Sequence, residues 1–389
     1  MEPGIPDPQP LRYASPLVLF DATAVPANRG GVGRYVDGLL GALQGRIEIA
    51  CQARDAEHFR TIAPGATVLP QSTRIESPVW RLLWEQLQLP ALARRRGATV
   101  IHSPHYTLPL FTRRARVVTL HDATFYSDPK VHTRLKGAFF RLWTRISVRL
   151  ARQIIVPSQA TADEVHRYLP SGRAHFVVAH HGVDFEVFHR PTPQEVEMVA
   201  TQYDLGGPGW IAFLGTLEPR KNLPALIHAY GLVAESLQGL GRNIPPLVLV
   251  GGRGWDTTLE ARIRALPQSA RVVMLGYVPA VHLSPILGGA VLMAYPSLGE
   301  GFGLPVLEAM ACGAPVLTTR CLALPEVGGD AVAYSATNAP SIAAELLALI
   351  GDPHRLAALS LRGEARARAF TWSDTAQVHA YAYRAAITR

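Results

Sequence analysis

The chain has 389 residues, 48% of them hydrophobic and 17% charged, with a formal net charge of +8. That length and composition predict two ordinary domains and exclude a disordered chain, and no apolar run reaches the ~18–20 residues of a membrane span. Three cysteines (Cys51, Cys312 and Cys321) at no ligand spacing speak against a zinc site or a disulfide framework, and the N-terminus lacks a secretory pattern, so a reducing cytoplasm is expected.

In the first half, apolar runs at 16–22, 47–53, 98–104, 116–122, 152–158 and 175–181 read as strands, with helical patterns between them, such as 34–43 and 135–151. After the first run comes ANRGGVGRYVDGLL (27–40). Gly30, Gly31 and Gly33 open a helix, but the third glycine of G-x-G-x-x-G is absent, since Tyr35 and Val36 follow. A dehydrogenase is therefore disfavoured, and a loop that lets backbone approach a phosphate or an acceptor remains. TLHDATF (119–125) places His121 and Asp122 at a strand's end, where this architecture puts working residues. HSPH (102–105) and AHHGVD (179–184) add histidines, so spacing alone does not single out His121.

Residues 94–152 hold 13 basic and 2 acidic residues. This imbalance asks for an anionic partner: nucleic acid, an anionic membrane or a phosphorylated substrate. No zinc finger, helix-turn-helix or RNA-binding signature supports nucleic acid, and none is expected as a partner. Within 132–152, Arg141, Arg145, Arg149 and Arg152 share one helical face beside Phe139, Phe140 and Trp143. Such a helix could lie on an anionic bilayer. It could equally pack its aromatics inward and leave the arginines in water.

Prolines, a glycine pair and charges mark a division near 185–208. Strands then follow at 210–216, 246–252, 271–277, 290–296, 315–320 and 331–335. Strand then helix, repeated, predicts an α/β chain of two doubly wound parallel sheets facing a cleft. The expected domains are 1–195 and 205–372, with a further helix over 374–387.

GTLEPRKNLPALIHAY (215–230) puts Arg220 and Lys221 before a helix that starts at Asn222. A guanidinium and an ammonium there suit a diphosphate, although a lone basic pair is commonly just a solvated turn. EGFGLPVLEAM (300–310) follows a strand. Gly301 and Gly303 permit close backbone approach, and Pro305 suits a helix start. The amides of Phe302, Gly303 and Leu304 would then face an oxygen-rich group, with Glu300 and Glu308 accepting from hydroxyls. The alternative is an acidic cap on a helix that merely packs well. There is no Asp-x-Asp, no G-x-x-x-x-G-K-[ST] and no G-x-S-x-G.

Together, PSLGEGFGLPVLEAMACGAPVLTT, GTLEPRKNL, LGYVP, NRGGVGRY and LHDATF resemble the retaining glycosyltransferases of family 4, which have the GT-B fold. The likeness covers nearly the whole chain. It implies that the first domain binds the acceptor, the second binds the nucleotide sugar, and helix 374–387 packs back on the first. It implies sugar contacts for Glu300 and the amides of Gly301, Phe302, Gly303 and Leu304, and ribose contacts for Glu308. Arg220 and Lys221 would hold the leaving diphosphate, Tyr277 and Val278 the base, Gly31 the phosphate approach, and His121 the sugar and acceptor. No metal or cofactor is expected. The first-half segments are similar to a bacterial subgroup of mannosyl- and related transferases, and Arg outnumbers Lys 35 to 3, as in a GC-rich bacterial genome. GDP-mannose is the favoured donor and a UDP-hexose the alternative. The acceptor would be a glycan or a lipid-linked sugar of cell-surface polysaccharide, met in the cytoplasm or at the inner membrane face. A UDP-sugar epimerase and an inactive nucleotide-sugar-binding protein are the rival readings; the E-x7-E context disfavours the first, and the presence of the main motif residues disfavours the second.

Overall fold

The computed structural model describes residues 16–127, 134–170, 175–254, 256 and 258–388. The start of the expected first domain (1–15) and positions 132–133 of the basic stretch lie outside them. The first unit runs β1 (Val18–Asp21), α1 (Gly31–Ala42), β2 (Ile47–Gln52), α2 (Ala56–Ile62), β3 (Thr67–Gln71), α3 (Pro78–Arg96) and β4 (Val100–Ser103). It continues through β5 (Ala115–Thr119), α4 (Thr124–Ser127), α5 (Arg134–Leu150), β6 (Gln153–Val156), α6 (Gln159–Tyr168) and β7 (His175–Val178). The second runs α7 (Pro193–Gln202), β8 (Ile211–Leu214), α8 (Leu223–Gly239), β9 (Leu247–Val250), α9 (Leu259–Arg264), β10 (Val272–Gly276) and α10 (Ala280–Gly288). It ends with β11 (Leu292–Tyr295), α11 (Leu304–Ala311), β12 (Val316–Thr319), α12 (Leu324–Gly328), β13 (Ala333–Ser335), α13 (Ala339–Ile350) and α14 (Pro353–Ala367), and α15 (Trp372–Ile387) follows.

Among the described residues the strands form two sheets, ordered β3-β2-β1-β4-β5-β6-β7 and β10-β9-β8-β11-β12-β13. Their pairings are parallel, so all strands of a sheet end on the same edge. Strand order reverses between β1 and β4 and between β8 and β11, which opens a crevice at each reversal. Alternate residues of β1 serve opposite faces. Val18 and Phe20 join a core with α1, α2 and α15, whereas Leu17 and Leu19 pack with Trp84, Leu89 and Ala93 of α3. Burial on both faces explains why these strands are uninterrupted apolar runs.

The expected strands are present, and β3 is an addition to them. It is an edge strand, half exposed, with Pro70 in its middle, so it shows no apolar run. The stretch 185–208 contains α7, started by a capping box between Thr192 and Glu195. Its Phe188, Val196, Val199, Ala200 and Leu205 belong to the second core. In α5 the aromatics turn inward: Trp143 is buried and Phe140 stacks on Phe125 at 4.5 Å. Arg152 donates to Ala386 O at 2.8 Å, while Arg145 and Arg149 are exposed. No helix among the described residues is long and apolar enough to cross a membrane.

Helix α15 completes the first core with Ala376, Ala382, Tyr383 and Ala386. A buried polar chain fixes it there. His379 Nδ1 meets the carbonyl of Thr375 at 2.7 Å, so it must donate, and Nε2 of the neutral ring accepts from Tyr35 Oη at 2.8 Å. Tyr35 then accepts from Thr119 Oγ1 (2.8 Å), which accepts from His102 Nε2 (2.9 Å), leaving His102 Nδ1 to accept from Tyr383 Oη (2.7 Å). Every member is satisfied only while both imidazoles are neutral. Burial lowers His379 to about 4 and His102 well below its ordinary value.

A folded-state pKa below the unfolded value of about 6.5 means that the unfolded chain takes up protons first. Stability is therefore full above pH 6.5 and falls as pH drops toward 4. In a pH series of thermal unfolding, the midpoint should decline over this window. His379→Gln should cost about 1–3 kcal/mol at pH 7 and flatten the decline.

Candidate active site

The loops after β8 and β11 flank the second sheet's reversal and are stitched together. Asn222, in the left-handed conformation at φ 59°, donates its side-chain amide to Pro296 O (3.2 Å) and Thr337 O (2.8 Å). Leu298 N donates to Arg220 O at 2.9 Å. The stitching brings Arg220 and Lys221 onto Glu300, which is 7% exposed. Its Oε2 accepts from Arg220 Nη1 at 2.7 Å. Its Oε1 accepts from Lys221 Nζ (2.7 Å), Tyr295 Oη (2.9 Å) and Ser297 Oγ (2.6 Å). Burial alone would raise this carboxyl, but the two cations overrule it and hold it at about 2. Glu300 is thus ionised at any working pH. Burial also pushes Lys221 down, with Arg220 adding to the effect and Glu300 opposing it. Glu218 accepts from Arg220 Nη2 at 2.9 Å, so two carboxylates answer the two cations.

The loop that carries His121 in the first unit lies against Gly301, the residue after Glu300. The Nε2 of His121 donates to Pro104 O at 2.7 Å, which leaves Nδ1 as an acceptor in the neutral ring that burial favours. The loops touch here: a Cβ built on Gly301 would fall 1.7 Å from His121 O. Gly301 O accepts from Ser158 Oγ (2.6 Å) and Thr161 Oγ1 (3.0 Å) at the start of α6. Glu326 of the second unit accepts from the α6 amides of Gln159 (2.9 Å) and Ala160 (3.2 Å), and His180 Nε2 lies 2.6 Å away. Burial opposes ionisation of Glu326, yet His180 and these amides hold it below the usual carboxylate range.

The other expected residues are more dispersed. Glu308, 2% exposed, does not join Glu300; its Oε2 accepts from Arg34 Nη1 of α1 at 2.6 Å across the cleft. Tyr277 is 75% exposed and donates to Asn28 O of the first unit at 3.0 Å, while Val278 is buried in the second core. Phe302 turns inward, its ring 5.0 Å from His181. Gly303, at φ 113°, caps α11; Leu304 is its first residue and Pro305 its second. Gly31 opens α1, and a Cβ built there would meet nothing within 4 Å. Arg34, Ser158, Thr161 and Glu326 were not expected from sequence. Arg34 sits inside GGVGRY, and Ser158 with Thr161 has the S-x-x-T look of a helix cap; nothing in sequence marks Glu326.

Residues 29–187 match the family model described as Glycosyltransferase Family 4, and residues 204–366 match that of Glycosyl transferases group 1. The O-antigen chain mannosyltransferase B of Escherichia coli is 32% identical over 340 residues, 86% of each chain. The serotype-specific mannosyltransferase WbdA of Escherichia coli is 31% identical over 59% of this chain, which spans only 28% of that longer protein. Among solved structures, Anabaena Alr3699/HepE in complex with UDP and glucose superposes on 94% of this chain and 98% of that one. Its TM-score is 0.71 at 18% identity, a likeness of fold.

Glu300→Gln would leave two buried cations short of an anion, and urea denaturation should show a loss of about 3 kcal/mol. Gly301→Ala would force His121 and the second unit apart. It should leave circular dichroism unchanged while lowering sugar transfer by about 100-fold, since an ångström of misplacement at reacting groups costs that much.

Proposed function

The chain belongs to glycosyltransferase family 4, with two parallel-sheet units in the GT-B arrangement, and we propose that it is a retaining hexosyltransferase that moves mannose from GDP-mannose to a glycan or lipid-linked acceptor without a metal ion. The observation that carries this reading is the buried cluster of Arg220, Lys221 and Glu300 at the β8/β11 reversal, with the His121 loop packed against Gly301 beside it. The choice of mannose rests on the likeness to O-antigen chain mannosyltransferase B.

In this reading the second unit holds the donor. Arg220 and Lys221 draw the diphosphate, and the ribose hydroxyls replace Arg34 on Glu308. The base lies by Tyr277 and Val278, and Gly31 leaves room for the phosphates. His121 Nδ1 accepts from a sugar hydroxyl. The C1–O bond breaks with its electron pair going to the β-phosphate oxygen, where the cations stabilise the growing charge. The acceptor oxygen bonds C1 from the same face, and its proton passes to the departing oxygen. Glu300 is poorly suited to attack C1, because four donors already occupy its carboxylate and its basicity is low. As a fixed anion it opposes the positive charge that develops on the sugar ring.

Thermal-shift titration with GDP, UDP, ADP and their sugar conjugates, with and without chelator, tests the reading. GDP and GDP-mannose should stabilise the chain by about 2.7 kcal/mol at a hundredfold excess over Kd, undiminished by chelator and lost in Arg220→Ala. A shift confined to uridine compounds would move the donor to a UDP-hexose. Dependence on a divalent ion would overturn the metal-free clamp, and no shift with any nucleotide would overturn the donor reading.

A further inference from the structure

Between β1 and α1 the chain turns at residues 26–30, where Arg29 N donates to Pro26 O at 3.0 Å. Arg29 stands in the left-handed region, at φ 41°. A residue with a side chain enters that region at a cost, and its neighbours Asn28, Gly30 and Gly31 would all accept it more readily. The strained position nevertheless falls on the arginine, so something beyond the backbone must hold it there.

The side chain supplies the hold. Nε and Nη2 of the guanidinium form a fork on the two carboxylate oxygens of Asp37 in α1, with Nε 2.7 Å from Oδ2. Nη1 donates to Oδ1 of Asp55, just before α2, at 3.0 Å, and the guanidinium carbon lies 5.1 Å from the ring centre of Phe59. A planar fork on carboxylates fixes a direction as well as a distance, which an ammonium cannot do. The turn also lies hard on α1, since a Cβ built on Gly33 would fall 2.8 Å from that of Arg29. Arg54, 3.6 Å from Asp55, ties the start of the turn by donating to Val25 O at 3.3 Å. Each of these contacts is made within the first unit. The turn itself meets the second: Asn28 O accepts from Tyr277 Oη at 3.0 Å, and Gly30 and Gly31 then lead into α1.

We propose that Arg29 is a positioning residue for the donor: its ion pairs hold the strained turn, and the turn sets where Gly30 and Gly31 stand against the donor's diphosphate. Arg29 itself touches no part of the donor. The proposal deepens the transferase reading above, and the role it assigns rests on that reading. A lysine at this position would keep the charge and lose the fork. A glycine would accept the left-handed backbone and lose the anchor altogether. Both should therefore release the turn, although only the glycine relieves its strain.

Hydrogen exchange and nucleotide binding, measured on the full chain, test it with Arg29→Lys and Arg29→Gly. Without nucleotide, the amides of residues 28–31 should exchange faster in both variants, relative to their intrinsic rates, than in the unaltered chain. Retained protection of β1 and β2 reports that the unit is folded. In calorimetric titration, whichever of GDP and UDP binds the unaltered chain should bind each variant about tenfold more weakly, as when one turn in ten keeps its presented form. The matching nucleoside, which has no phosphates, should bind all three chains alike, whereas a general loosening of the unit would weaken both probes. Unchanged exchange, a diphosphate that binds the variants as tightly as the unaltered chain, or an equal loss for the nucleoside would overturn the proposal. Faster exchange in a chain that binds neither GDP nor UDP would leave Arg29 as the anchor of the turn, and would sink the donor reading together with the role assigned to Arg29 in it.

Discussion

An ionised carboxylate can be taken out of water only where cations and hydrogen-bond donors replace the water, and Glu300 is such a group. Its cations come from the loop after β8 while it stands on the loop after β11, so the site exists only because those strands are neighbours. In a parallel sheet both loops leave from the same edge, and the reversal of strand order leaves a gap between the helices that follow. Asn222 and the Leu298 amide close the remaining distance by tying one loop to the other. The stability of the second unit and the charge pattern of the cleft are therefore one property.

The same substitution of protein for ligand recurs along the cleft. Arg220 and Lys221, suited to a diphosphate, are neutralised by Glu218 and Glu300; Glu308, suited to a ribose, is held by Arg34. Each ion pair keeps a strong group oriented. One of these pairs, Arg34 with Glu308, also crosses between the units, as other contacts do. Arg34 to Glu308, Tyr277 to Asn28 and Glu326 to the start of α6 hold the units closed on each other.

How far the sequence carried the reading follows from what each feature depends on. Strands buried on both faces are apolar runs whatever surrounds them, and they were legible; β3, half exposed and interrupted by Pro70, had no such mark. Residues 185–208 look like a divider because of Pro191, Pro193, Gly206 and Gly207. Yet Thr192 and Glu195 spell a capping box, and Val196 and Val199 carry the spacing of a packed helix. Glu300, Arg220 and Lys221 stood out because strand ends are where this architecture does chemistry. Arg34 did not, since its partner Glu308 is 274 residues away. Spacing reports local geometry; it is silent on which distant element comes to rest against it.

Helix α15 adds a consequence for the order in which the molecule can be made. Its alanines, Tyr383 and His379 fill the first unit's core, and Trp372 lies so close to Gly38 and Gly182 that a methyl group at either glycine would strike it. These residues follow the entire second unit in sequence. During synthesis the second unit can finish folding while the first still shows the ribosome's surroundings an open apolar groove along α1 and a Tyr35 hydroxyl without its His379 acceptor. The earlier-made half is the last to be completed, so a chaperone that shelters nascent chains would have the N-terminal half, rather than the newest residues, to protect.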